Sequence, residues 1–142
     1  MTEKEQLTHK IEKESAKFEA LLNVQSNRVK NKFISGDLSG LDSVYTKYMD
    51  AWEQKLQDVG RINYPVAAQK ITKVALVIAT VMIYQDGTLK DVEINSSTGT
   101  DELNAGVINI IKSSAPFDAF PDAMSLEVDV LHITRTFYFR PS

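Results

Sequence analysis

The sequence predicts an α+β domain: a three-stranded antiparallel sheet packed by one helix and preceded by N-terminal helices. Three observations point there. Residues 74–84 are an almost unbroken apolar run, and Asp86-Gly87 then leads into an alternating stretch at 89–95, which together read as a β-hairpin. Apolar residues recur at helical spacing before the hairpin, over 3–34 and 41–59, and after it, over 101–114. A last β-rich run, 126–139, closes the chain.

The first helix, residues 3 to about 34, rests on Leu7, Ile11, Phe18, Leu21, Leu22, Val29 and Phe33, with no Gly or Pro before Gly36. Glu and Lys mixed on its other faces suit a solvated stalk, and Ser15 and Gln25 interrupt its stripe. Self-association and packing on the domain both fit this pattern. Gly36-Asp37-Leu38-Ser39-Gly40 separates it from a second helix, for which Ser39 and Asp42 offer a capping box. Residues 1–38 are thus expected to be a helical stalk or linker, and 39–142 the domain. In the second helix Leu41, Tyr45, Tyr48, Trp52, Leu56 and Val59 share a face. Packing explains its aromatics better than ligand binding does. Gly60 is expected to end it, and Tyr64-Pro65 to force an extended step.

The hairpin fixes the sheet. A type I′ turn at Asp86-Gly87 makes its two strands antiparallel. The second strand has a wet face carrying Asp91, Glu93 and Asn95 and a dry one carrying Val92 and Ile94. The first strand is apolar on both faces and belongs in the middle. Ser96-Ser97-Thr98-Gly99-Thr100 supplies caps for the helix 101–114, whose buried stripe is Leu103, Val107, Ile110 and Ile111. Pro116 stops that helix, and Phe117 and Phe120 pin the turn after it. In the last strand Leu131, Ile133, Phe137 and Phe139 share a face with Arg135 as the polar exception. Placing this strand beside the first hairpin strand gives a β-β-α-β arrangement of order 2-1-3 with every pair antiparallel. It leaves the last strand as an edge.

Composition narrows the function. A net charge of −3 and a pI near 5.4 argue against a nucleic-acid-binding face. With no cysteine there is no disulfide frame, thiol nucleophile or Cys-based metal site. No nucleotide-binding, metalloprotease or hydrolase motif occurs, so neither a cofactor nor a catalytic centre is expected. His9 and His132 lie far apart, and His132 reads as an ordinary strand residue. For Arg135 a structural ion pair outweighs a partner contact. What remains is the edge strand, whose free main-chain groups invite pairing unless covered. It can take a partner's extended segment as another strand, or be covered by the N-terminal helices or a second copy.

In sequence order come Trp52, Val59-Gly-Arg-Ile-Asn-Tyr-Pro65, Asp86-Gly87, Ser96-Ser97-Thr-Gly99, Leu103, Ala115-Pro-Phe117, Phe120-Pro121 and Ile133-Thr-Arg-Thr-Phe137. Together they resemble the C-terminal domain of TonB-family energy transducers, over about residues 28–140. The resemblance implies a non-catalytic periplasmic domain of a longer protein. An inner-membrane helix upstream would engage an ExbB/ExbD-like motor. The domain would bind the TonB box of an outer-membrane transporter for iron chelates, haem or similar cargo. In the family that box adds as a strand beside the last strand, which by position implies Arg61, Asn63, Tyr64, Leu131, Ile133 and Arg135 as partner-binding residues. This chain departs from the family at Lys73-Val74-Ala75, where a glycine is common, at Leu103-Asn-Ala-Gly106-Val, and at Phe137, where Trp is frequent. The alternatives are a TolA-like envelope connector and a structural oligomer, a homodimer for instance, assembled through the N-terminal helix.

Overall fold

The computed structural model describes residues 29–142. The expected helix over 3–28 lies outside the described residues. Asn31–Ser142 form one compact unit. In chain order its elements are β1 (Asn31–Ile34), α1 (Ser43–Ile62), α2 (Val66–Gln69), β2 (Ala75–Tyr84), β3 (Leu89–Ser97), α3 (Asp101–Ser114), α4 (Asp122–Ser125) and β4 (Val130–Phe139).

The sheet runs β1-β4-β2-β3, with β1 parallel to β4 and the other pairs antiparallel. The α+β class holds, and the two-sided apolar strand β2 lies inside the sheet, between β3 and β4. The expected three-stranded antiparallel sheet is corrected to a mixed one of four strands. Residues 31–34 are not the end of a helix. Their spacing from Val29 looked helical, but pairing along β4 satisfies the main chain and carries Ile34 into the core, leaving it 3% exposed. β4 is therefore only partly an edge.

Ala75, Val77, Ala79, Val81 and Ile83 of β2 are buried beneath the helices, with Leu131, Ile133, Phe137 and Phe139 of β4 beside them. From α1 come Tyr45, Tyr48, Met49, Trp52 and Leu56, and from α3 Leu103, Val107, Ile110 and Ile111. Each large side chain so buried contributes about 1.5–3 kcal/mol. Two tyrosines tie α1 to the segment before β4. The Tyr45 hydroxyl donates to Glu127 Oε2 at 2.7 Å, and Tyr48 donates to the Asp118 carbonyl at 2.8 Å. Burial first, then the Glu127 bond, push the Tyr45 phenol up to about 12. On the opposite face of the sheet a polar row crosses three strands. Asn95 Nδ2 donates to Thr80 Oγ1 at 2.7 Å, which lies 2.9 Å from Thr134 Oγ1.

Local chemistry differs from expectation at four places. The hairpin turn is not type I′, because Gly87 alone of its residues has positive φ (+87°). Gly87 N–H donates to Tyr84 O, and Tyr84 N–H to Thr88 O, which makes a three-residue loop ending on a left-handed glycine. The capping box does not form: Asp42 is the N-cap of α1 without a side-chain bond, and Ser39 N–H bonds Asp37 instead. Gly60 does not end α1, which continues to Ile62, since one glycine costs less than the packing of the last turn returns. The long strand over 126–139 begins only at Val130, because residues 122–125 coil into α4 and leave Leu126 exposed.

Candidate functional site: the open edge of the last strand

β1 stops opposite Ile133, so residues 134–139 of β4 have no neighbouring strand on that side among the described residues. Six consecutive main-chain positions are left there. Side chains alternate along them: Arg135, Phe137 and Phe139 turn toward the helices, and Thr136 and Tyr138 toward solvent.

Two grooves flank this stretch. One, of about 400 Å³, lies between the end of α1 (Leu56, Gln57, Gly60, Arg61), Tyr64 and residues 135–139. The other, of about 610 Å³, lies between Ser35, Gly36 and Leu38 after β1, Met49, Trp52 and Glu53 of α1, and residues 133–136. Arg135 and Thr136 line both. Arg135 Nε lies 2.9 and 2.8 Å from the two Glu53 carboxylate oxygens, and Arg135 Nη2 also donates to Glu53. Burial alone would raise the Glu53 carboxyl. The hydrogen bonds and charge of Arg135, with the Gln57 amide, outweigh it and hold Glu53 below the usual carboxylate range. The Arg135 guanidinium also lies 4.3 Å from the centre of the Phe137 ring.

The six residues implied by sequence divide into groups. Arg61, Tyr64 and Arg135 line one groove together. Arg61 is exposed and pairs with Asp58 one turn back. Tyr64 is 44% exposed, its ring 6.2 Å from that of Phe139. Asn63 caps α1 through its N–H to Val59 O and borders a separate hollow with Pro65 and Gly106. Leu131 and Ile133 are buried, and β1 pairs alongside both. Gly106 gives the chain's departure from the family pattern a physical meaning. A Cβ there would fall 2.7 Å from Pro65 Cβ, so the glycine lets Pro65 settle on α3.

Sequence reasoning missed Glu53, Gln57, Thr136 and Tyr138. Glu53 had one signal, an acid beside Trp52 on the core-facing side of a helix in a chain with an out-of-pattern arginine. No three metal-ligating side chains converge among the described residues. His132 Nε2 lies 2.9 Å from Asn31 Oδ1, and its ring stacks on Phe33 at 4.4 Å.

Fold and edge together describe a helix-backed sheet domain whose last strand leaves part of its outer main chain without a neighbouring strand among the described residues. The sequence model for the C-terminal region of Gram-negative bacterial TonB proteins matches residues 60–141, more than half of the chain, and the chain belongs to this family. It is similar to the NMR solution structure of the Helicobacter pylori TonB C-terminal domain, with 21% identity and a TM-score of 0.55 over 73% of this chain and 87% of that one. A shorter version of that domain aligns with 23% identity and a TM-score of 0.44, over 69% and 94% of the two chains. No curated protein matches the chain.

Proposed function

We propose that this domain binds a short extended segment of an outer-membrane transporter by β-strand addition to β4. In doing so it passes energy from an inner-membrane motor to that transporter. The observation that carries the reading is the six-residue stretch 134–139, which among the described residues has no strand on the side away from β2 and lies beside a groove that gathers Arg61, Tyr64 and Arg135. Main-chain hydrogen bonds would supply affinity that tolerates many sequences, and the grooves would sort side chains on one face of the incoming strand.

Family membership supports a periplasmic setting, with the motor of the ExbB/ExbD type reached through an anchor upstream of this chain. A domain of this kind works as a grip that forms and releases, so an edge of modest length suits it better than a large apolar interface. The test is calorimetric. Peptides copied from the N-termini of transporters of the same organism should bind, and a proline placed mid-peptide should remove binding by deleting a ladder donor. Equal binding of the proline peptide would refute strand addition.

A further inference from the structure

β1 lies on the same side of β4 that an added strand would use. We propose that β1 is a stand-in for the partner, and that the partner's extended segment displaces it and pairs along all of Val130–Phe139. This rests on the strand-addition reading above and deepens it.

The hold of β1 is slight. It is four residues long and, among the described residues, pairs with β4 alone. Only Ile34 enters the core, whereas Phe33 is 74% exposed. Phe33 and Asn31 touch β4 through His132, on the face away from the helices, and Lys32 reaches α1 at the Tyr45 ring, 4.4 Å from its Nζ. Between β1 and α1 runs Ser35-Gly36-Asp37-Leu38-Ser39-Gly40. A Cβ at Gly36 or Gly40 would meet nothing, and Gly40 has φ +80°. This connection lets β1 leave without moving α1. While in place, β1 blunts an edge that would otherwise pair with other chains. A partner must then spend part of its binding on opening the edge, which weakens and shortens the grip. Tension drawn along the chain from its N-terminal side reaches β1 before any other strand of the sheet, so pulling favours the uncovered edge.

The chain has no cysteine, so Phe33→Cys with His132→Cys introduces one defined pair at register partners. Adjacent strands lie about 4.8 Å apart, within disulfide reach. The probe is a transporter N-terminal peptide that binds the wild-type chain. Locking β1 by oxidation should weaken its binding about tenfold relative to the reduced form, and Phe33→Ala should strengthen it about threefold. Hydrogen exchange on the wild-type chain gives a second reading: with peptide bound, amides of 31–34 should exchange faster while those of 134–139 slow. If oxidised and reduced forms bind equally, or 31–34 keep their protection, displacement is refuted and strand addition stands on residues 134–139 alone. If no transporter peptide binds any form, both readings fall.

Discussion

Arg135 and Gly87 show how single residues set the site and the fold. Arg135 lines both grooves, and Glu53 of α1 holds its guanidinium by hydrogen bonds. Glu53 titrates lower in the folded chain than its ordinary 4.5, so the unfolded chain takes up the proton first. The stability it adds is complete above that ordinary value and is lost as pH falls through the lower folded one. Urea titrations across this acid window should show a shallower decline for Glu53→Gln than for wild type; parallel declines would remove the pair from the balance. At Gly87 a Cβ would fall 2.0 Å from the Phe117 carbonyl oxygen, at a φ that L side chains avoid. Phe117 N–H in turn donates to Gly87 O at 2.8 Å, so this glycine joins the hairpin to the turn before α4. Gly87→Ala should cost about 3 kcal/mol or more by chemical denaturation. Trp52 Nε1 is, among the described residues, a buried side-chain donor without an acceptor. Such a group costs about 1–3 kcal/mol.

Among the elements, α1 and β1 separate what sequence reveals from what it conceals. The face of α1 was legible because Tyr45, Tyr48, Trp52 and Leu56 repeat at helical spacing and all are buried. Its end was not, because Gly60 carries the chemistry of a stop signal while Ile62 and the Asn63 cap lie beyond it. A Cβ at Gly60 would meet only Ile110 Cγ2, at an ordinary 3.9 Å. Gly60→Ala should therefore stabilise the domain by about 0.5–1 kcal/mol through helix propensity, measured as a raised denaturation midpoint. A loss of stability would mean that the last turn of α1 needs the glycine for closer packing. β1 was illegible for another reason. Four residues carry too little pattern to separate strand from helix, and their pairing partner lies about a hundred positions along the chain. The order of β3, β2 and β4 could be read because β2 is apolar on both faces, whereas where β1 stops, and so the length of the free edge, could not.

At the scale of the whole molecule, the helices cover one face of the sheet, β1 covers four residues of the β4 edge, and six have no strand beside them on that side among the described residues. Arg61, Tyr64 and Arg135 were reached through family resemblance, and the fold brings these three to one groove. Leu131 and Ile133 came the same way but lie under β1, where only its departure would open the adjoining main chain. The most direct measurement is a backbone amide NMR titration of the full chain with a transporter N-terminal peptide. Strand addition requires shifts concentrated within residues 130–139 of β4 and around 61–64, joined by 31–34 where β1 is displaced, and lost when the peptide carries a central proline. Shifts gathered instead on β3 or on α3, or a map unchanged by the proline, would contradict it.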